Sequence, residues 1–153
     1  MSAPHRRSAS PIASRATRFI GHLFDWKAVG AQTDGAIALV AIDAWRGGEP
    51  PVHVHRREDE FFYVLEGEAT FLVGDELRRG GPGTFVWAPR HVRHGFAFET
   101  ERVRMLAGLL PAGSEAVFHA FSTPDPGRAP AASRPPPRCR TPRSSPRTTS
   151  ATA

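Results

Sequence analysis

The sequence predicts an all-β fold, a sandwich or barrel of short strands built around one core. Apolar and aromatic runs of strand-like composition recur through the middle of the chain, separated by Gly, Pro and acidic residues. Only residues 113–121 have a helical pattern. These runs lie within residues 19–123, a segment of about 105 residues, which is enough for a single small domain.

The predicted strands follow one another between turn signals. In chain order they span residues 35–45, 60–65, 69–73, 84–88, 94–99 and 102–110. Turns rich in Gly and acidic residues are predicted at 66–68 and 74–76, and Pro89 and Pro111 end two later strands. The apolar residues 19–24 are predicted as a further strand, which either forms an interface with a second copy or packs on its own barrel.

Charge is unevenly distributed along the chain. The whole sequence has a net charge of +5 and a pI near 10.9. Residues 1–18 carry +4 and residues 124–153 carry +5, whereas residues 19–123 contain ten Lys and Arg against fourteen Asp and Glu, a net charge of −4. The basic pI therefore belongs to two tails and does not indicate a nucleic-acid-binding domain.

The two terminal segments are predicted to lie outside the domain. Residues 1–18 are a flexible basic segment, and residues 124–153 are a disordered Pro/Arg/Ser-rich tail that contains no Leu, Ile, Val, Phe or Trp. A frameshifted end is an alternative origin of this tail, because Pro, Ala and Arg codons dominate GC-rich DNA read out of frame. The sequence shows no apolar run of about 18 residues, no secretory signal and one cysteine, Cys139. These features predict a cytoplasmic protein whose partners are neither membranes nor nucleic acid.

Four residues have the spacing of a metal site. His53 and His55 are two residues apart, so on a strand both imidazoles point to the same face. Glu60 lies five residues after His55, so a short turn could place it on the neighbouring strand beside the two histidines. His94 begins a later strand. Three imidazoles and a carboxylate on one inner face form a site for a transition metal such as Fe, Mn, Co, Ni, Cu or Zn. The alternative is that these are hydrogen-bonded core or loop histidines without a metal.

The spacing of these residues resembles two sequence motifs of the cupin superfamily. The matching positions are Gly47, His53, His55, Glu60 and Gly67 in the first motif, and Gly83, Pro89 and His94 in the second. The sequence departs from the second motif at His91, where the family usually has Gly, and at Phe98, where it often has Asn. The wider segment 19–122 resembles small single-domain bacterial cupins described as quercetin-dioxygenase-like.

The resemblance implies a fold and a set of roles. The fold would be a cupin jelly-roll barrel, also called a double-stranded β-helix, with a short C-terminal helix. His53, His55, Glu60 and His94 would bind one divalent transition metal inside one mouth of the barrel, and each imidazole should donate its second N–H to a neighbour. Small cupins usually dimerise through N-terminal strands, so a homodimer is also expected.

Alternation along the strands predicts the walls of a substrate pocket. Side chains two residues apart point to the same face of a strand. Residues 62 and 64 therefore share the face of Glu60, and residues 96 and 98 share the face of His94. The predicted pocket residues are Phe62, Val64, Phe96, Phe98 and His91. The alternative for the aromatic residues is that they are core residues of a small barrel. The alternative for His91 is an exposed residue at the rim, in a turn with positive φ.

The predicted function is that of a metal-dependent, dioxygenase-like oxidoreductase. Its substrate would be a small, apolar, phenolic or enolic molecule, and Glu60 would be the catalytic base that exchanges a proton with it. Two alternatives stay open at this point: a metal-assisted isomerase or decarboxylase, and a non-catalytic cupin that only binds a small molecule.

Overall fold

The structure is a computed structural model that describes residues 15–125. The predictions for residues 1–14 and 126–153 lie outside the described residues. Within the described part, the elements in chain order are β1 (Arg15–Phe19), β2 (His22–Ala28), α1 (Gly30–Thr33), β3 (Ala38–Trp45), β4 (Asp59–Glu66), β5 (Ala69–Val73), β6 (Glu76–Gly80), β7 (Phe85–Ala88), β8 (His94–Phe98), β9 (Arg102–Leu110), α2 (Glu115–Ala120) and β10 (Thr123–Pro124).

The strands form two antiparallel sheets. The larger has seven strands in the order β10-β1-β2-β3-β9-β4-β7, and the smaller has three in the order β6-β5-β8. Consecutive strands such as β8 and β9 lie in different sheets, so the chain crosses between the two layers, as in a jelly roll. The all-β prediction is confirmed.

Side chains from both sheets form the core between the inner faces. Strand β3 shows the pattern clearly, because four alternate residues, Ala38, Val40, Ile42 and Ala44, are buried. This period of two follows from the alternation of side chains across a strand. Phe71 of β5 and Met105 of β9 are among the largest fully buried side chains, so the same core includes both sheets.

The predicted strand at residues 19–24 is wrong in its bounds. Ile20 and Gly21 have positive φ angles of 45° and 86°, and they form the turn between β1 and β2. Phe24 and Trp26 of β2 are only 6% and 3% exposed and belong to the core. Within the single chain, the part of this segment that lies in β2 packs on its own barrel, and an interface with a second copy stays a prediction.

Between β2 and α2, two elements, β6 and α1, have no counterpart in the predictions. Four of the five residues in β6 are exposed, so its sequence lacks the apolar alternation of a half-buried strand. It is a strand because its backbone pairs with β5 along its whole length, from Val73 opposite Glu76 to Ala69 opposite Gly80. Helix α1 has only four residues and no buried residue, which is too short for a helical period to be visible.

The described fold extends beyond the predicted domain bounds of 19 and 123. Strand β1 begins at Arg15, inside the segment predicted to be flexible, and it pairs with β10. Arg18 lies opposite Thr123, and its guanidinium donates a hydrogen bond to the Asp125 carboxylate at 3.2 Å. Pairing at this edge therefore joins the start and the end of the domain.

Helix α2 confirms the predicted helical segment at 113–121, in shorter form. Its Glu115 carboxylate accepts a hydrogen bond from the Gly30 N–H at 2.8 Å, which ties α2 to the start of α1. Phe118 packs on three aromatic rings, those of Phe19, Phe24 and Trp26, with centroids 5.1 to 5.9 Å away. Neither helix of residues 15–125 has the length and apolar character needed to cross a membrane.

Two glycines of the first motif make a testable contrast in stability. Gly67 joins β4 to β5 with φ of +79°, and a Cβ there would collide with the Arg102 carbonyl oxygen and lie 2.6 Å from Thr100 Oγ1. We expect Gly67→Ala to lower the free energy of unfolding by about 2–4 kcal/mol, because strain and a backbone clash add. Urea denaturation followed by fluorescence measures this.

Gly47 provides the matched control for that substitution. It has φ of +90°, and no described atom outside its chain neighbours lies within 4 Å of an added Cβ. Gly47→Ala therefore carries only the conformational cost, about 1 kcal/mol. Equal losses in the two variants would contradict the proposed clash at Gly67.

Candidate metal centre

Four potential ligands converge from three separate segments of the fold. Glu60 lies on β4 and His94 is the first residue of β8. The segment that carries His53 and His55 is not a regular strand, which corrects the prediction. It forms one isolated antiparallel bridge, in which the N–H of His53 donates to the His94 carbonyl and the N–H of His94 donates back, both at 2.9 Å. This bridge fixes two of the histidines relative to each other.

The ligand atoms of His53, His55, Glu60 and His94 all lie within 4.8 Å of one another. Glu60 Oε2 is at the centre of the group, 3.0 Å from His94 Nε2, 3.2 Å from His55 Nε2 and 3.8 Å from His53 Nε2. The His94 side chain is 1% exposed and that of His53 is 34% exposed, so the cluster runs from the core towards solvent.

The ring nitrogens that face away from Glu60 form hydrogen bonds in two of the three imidazoles. His53 Nδ1 donates to the Pro51 carbonyl at 2.9 Å, and His94 Nδ1 donates to the Val92 carbonyl at 2.8 Å. A carbonyl oxygen only accepts, so both Nδ1 atoms carry the proton. His55 Nδ1 lies 3.7 Å from the Glu58 carboxylate. Backbone carbonyls in these positions orient imidazole ligands in metal sites, as the resemblance implied. The contact of His55 with Glu58 is longer than a hydrogen bond, so this expectation is met for His53 and His94 only.

This proton arrangement directs unprotonated nitrogens at a carboxylate. With hydrogen on Nδ1, a neutral His94 presents the lone pair of Nε2 to Glu60 Oε2, and two acceptors face each other at 3.0 Å. Such a contact is favourable only when a cation, a proton or a metal ion, lies between them. The Nε2 of His55 is buried and forms no hydrogen bond within residues 15–125. Both observations fit a three-histidine, one-carboxylate set for a divalent transition metal.

The electrostatics of the cluster favour ionised Glu60. Burial raises the pKa of the Glu60 carboxyl, but its interactions with the imidazoles of His53, His55 and His94 together outweigh burial and hold the pKa below its usual value. The pKa of His53 is raised by its interaction with Glu60, against the effect of burial. A buried, ionised carboxylate among imidazoles is an arrangement that attracts positive charge.

An ion pair supports the loop that precedes His94. The Arg90 guanidinium donates to both oxygens of Asp59, at 3.1 and 2.7 Å, and the Arg90 N–H donates to Asp59 at 2.9 Å. Hydrogen bonds from the Arg90 side chain and then from its backbone lower the pKa of Asp59 to about 2. Because Asp59 directly precedes Glu60, this pair links β4 to the loop before β8, two of the three segments that meet at the cluster.

A cavity of about 350 Å³ extends from the cluster into the barrel. His53, His55 and Glu60 line one part of it, and its other walls are almost entirely apolar. Of the predicted pocket residues, Phe62, Phe96 and Phe98 line the cavity. The rings of Phe96 and Phe98 stack at a centroid distance of 5.2 Å. Phe98, which replaces the polar residue of the motif, therefore adds to an apolar wall.

Two predicted pocket residues are not among those that line the cavity. Val64 is fully buried in the core on the same strand as Glu60. His91 is exposed in a turn with φ of +66°, the conformation expected for it, and its N–H donates to the His55 carbonyl at 2.8 Å. The backbone of His91, not its imidazole, is what contacts the site.

Much of the cavity wall was missed by the sequence prediction. The additional lining residues come from β2, β3, β9, α2 and the segments before β2 and His53, and include Phe24, Trp26, Val40, Ile42, Leu109, Phe118, Ile20 and Pro50. Residues 36–42 are apolar throughout, so their sequence does not distinguish the inner face from the outer. His22 also lines the cavity, with both ring nitrogens engaged, one by the Gly48 carbonyl at 2.6 Å and the other by the Trp45 N–H at 3.3 Å.

Sequence comparison connects this geometry with known proteins. The Cupin domain family matches residues 42–108, a range that contains all four clustered residues. Quercetin 2,3-dioxygenase of Bacillus subtilis is 28% identical over 92 residues, which are 60% of this chain but only 27% of that enzyme. A second relative, an uncharacterised protein of Streptomyces coelicolor, is 30% identical over 76 residues, 50% of this chain and 70% of that protein.

Structural comparison supports the same architecture. The crystal structure of an RmlC-like cupin from Shewanella frigidimarina is similar with a TM-score of 0.58 at 22% identity. The similarity covers 76% of this chain and 99% of that chain. At this level of identity it concerns the fold alone.

Proposed function

Because the chain belongs to the cupin superfamily, we propose that it is a metal-binding, dioxygenase-like enzyme that acts on a small, apolar, phenolic or enolic substrate. The observation that carries the proposal is the position of the four-residue cluster at one part of an otherwise apolar cavity. A few polar groups inside an apolar, largely preformed cavity are the usual form of a small-molecule site. The partial similarity to a quercetin dioxygenase supports the choice of reaction class.

In this proposal the imidazoles of His53, His55 and His94 and the carboxylate of Glu60 hold one divalent transition metal. When bound, the metal supplies a Lewis acid for the oxygen of an acidic hydroxyl group. The Nδ1 hydrogen bonds of His53 and His94 keep the Nε2 lone pairs directed at the site. Glu60 Oε2 accepts the hydroxyl proton of the substrate as it enters, which makes Glu60 the general base.

The walls of the cavity favour a flat, apolar substrate. Phe62 and Phe96 meet edge to face at 5.3 Å, and Phe98 stacks on Phe96, so aromatic rings form a continuous surface beside Glu60. Aromatic substrates gain from offset stacking on such rings. Among the described lining residues there is no Arg or Lys, so phosphorylated substrates have no counter-charge inside the cavity.

Oxygen consumption by the full-length protein tests the proposal. Protein loaded in turn with Fe, Mn, Co, Ni, Cu or Zn is mixed with flavonols and other enolic compounds in an oxygen-electrode cell. We expect at least one metal to support substrate-dependent oxygen uptake. We expect Glu60→Gln to lower its rate by at least about a hundredfold, because the base and a carboxylate ligand are lost together. Glu66→Gln, on the same strand but exposed, is the control and should retain full activity.

The outcomes separate the alternatives. Substrate turnover without oxygen uptake would instead support an isomerase or decarboxylase, and tight binding without turnover would support a binding protein. Protein purified from its native host with less than about a tenth of a metal per chain would overturn the metal site itself.

The assembly and the location of the protein are further parts of the proposal. We propose a cytoplasmic homodimer that binds a small molecule. Size-exclusion chromatography with light scattering tests the assembly, and a particle of 16.7 kDa would exclude the dimer.

A further inference from the structure

The hairpin between β1 and β2 has an unfavourable residue in its turn. Phe19 lies opposite His22, so the loop consists of Ile20 and Gly21 alone, and their φ angles are 45° and 86°. Two central residues with positive φ are the pattern of a type I′ turn, in which Asn-Gly is strongly preferred. A β-branched side chain in this region of φ is a genuine outlier, because its Cβ substituents crowd the backbone.

Burial within the domain does not compensate this strain. Ile20 is 50% exposed, so half of its surface gains nothing from the core. The turn is nevertheless held in place on both sides. The Phe19 ring packs against Phe24 and Phe118 at 5.5 and 5.1 Å. On the other side, His22 donates a hydrogen bond to the Gly48 carbonyl at 2.6 Å. The surrounding structure therefore fixes the conformation in which the Ile20 side chain is presented.

This turn lies at the cavity. Ile20 is one of the residues that line it, together with Pro50, Pro51 and Val117. Val117 is also 57% exposed, so this part of the wall lies where the cavity opens to solvent. Each of these four side chains is apolar, and they come from the hairpin turn, from the segment before His53 and from α2. The mouth of the cavity therefore has an apolar rim.

We propose that Ile20 is a specificity-determining residue, whose side chain closes the mouth of the cavity over an apolar ligand. This inference rests on the proposed function only in that the cavity binds a small molecule. The exposed half of the Ile20 side chain is covered when the cavity is filled, so its burial contributes to ligand binding and not to folding. A residue that strains the free protein and improves the complex is characteristic of a binding site.

The substitution Ile20→Asn separates the effect of turn strain on stability from the effect of the apolar side chain on ligand affinity. Ile20→Asn relieves the turn, and we expect the melting temperature of the full-length protein to rise by about 5 °C. The same change removes the apolar surface, and we expect the Kd of an apolar ligand to rise about tenfold. Ile20→Val keeps both the strain and most of the surface, so its Kd should stay within about threefold of the wild type. A purely structural residue would not move stability and affinity in opposite directions.

The experiment uses two probes and a matched control. Quercetin, added without oxygen, and the uncharged apolar dye N-phenyl-1-naphthylamine are titrated into each variant while tryptophan or dye fluorescence is followed. Leu77→Asn makes a similar change at a site that is 73% exposed on β6 and away from the cavity, and it should leave both Kd values unchanged.

The results distinguish the two proposals. If the dye binds and responds to Ile20→Asn but quercetin does not bind, the proposed substrate class fails while the role of Ile20 stands. If Ile20→Asn leaves the Kd of every bound probe unchanged, or lowers the melting temperature, the role of Ile20 is overturned. If the wild type binds neither probe, both proposals are overturned.

Discussion

Replacing His94 with alanine is expected to weaken binding of a divalent transition metal by at least about a hundredfold. Loss of an orienting contact around a metal site already costs 10- to 100-fold in affinity, and here a ligand itself is removed. His94 is the most buried of the four side chains, at 1% exposure, and the Val92 carbonyl holds its ring in position. Its loss also leaves Glu60 without its shortest contact in the cluster, 3.0 Å long.

Competition between the protein and a metal-binding dye measures this affinity directly, with Co²⁺ or Zn²⁺ as the probe. His91→Asn is the matched control, because His91 lies three residues away, is exposed, and has a positive φ that Asn tolerates. His94→Gln keeps a side chain in the buried space and should lose metal affinity without a large fall in melting temperature. Metal affinity within threefold of the wild type in both His94 variants would contradict the assignment of this ligand.

Replacing Phe71 with alanine is expected to lower the free energy of unfolding by about 3–5 kcal/mol. The reason is the cavity left by a large buried ring, which adds to the loss of transfer free energy. Phe71 is 1% exposed on β5, and its ring lies 5.6 Å from that of Phe62 and 6.1 Å from that of Phe96. Because those two residues line the cavity beside Glu60, Phe71 supports one wall of the site from behind.

Equilibrium unfolding in urea checks this value, with Phe121→Ala as the control. Phe121 is 75% exposed, so the same chemical change there should alter the free energy of unfolding by less than about 0.5 kcal/mol. We also expect Phe71→Ala to raise the Kd of any ligand of the cavity, since its aromatic wall loses support. A loss of less than 1 kcal/mol in Phe71→Ala would contradict the packing described for this core.

Strands with a clear apolar run were predicted nearly to the residue. The bounds 69–73 and 102–110 agree with β5 and β9, and 60–65 differs from β4 by one residue at each end. The prediction failed where side chains carry no pattern, as in the exposed β6, whose strand conformation follows from backbone pairing with β5. It also failed at Ile20, an apolar residue in a turn that normally takes Asn.

Three of the four clustered residues could be predicted from their local spacing, and His94 from its place in the second motif that resembles the cupin superfamily. His53, His55 and Glu60 lie within a segment of eight residues, so their spacing alone predicts that they can share one site. The backbone conformation of this segment was predicted wrongly. His53 and His55 lie on an irregular segment that is bridged to His94, and not on a regular strand. The bridge joins residues 41 positions apart, a distance at which the sequence pattern gives no register.

By itself, the sequence determined the all-β fold class, most of the strands and the four residues that cluster, because alternation and motif spacing are visible in the sequence. Only the tertiary structure decided the shape of the cavity, which depends on contacts between distant segments. Val64 shares its strand face with Glu60 yet lies in the core, whereas Ile20 and Val117, 97 residues apart, meet the same cavity. The packing of the two sheets and α2 decides which inward residues face the cavity and which face other side chains.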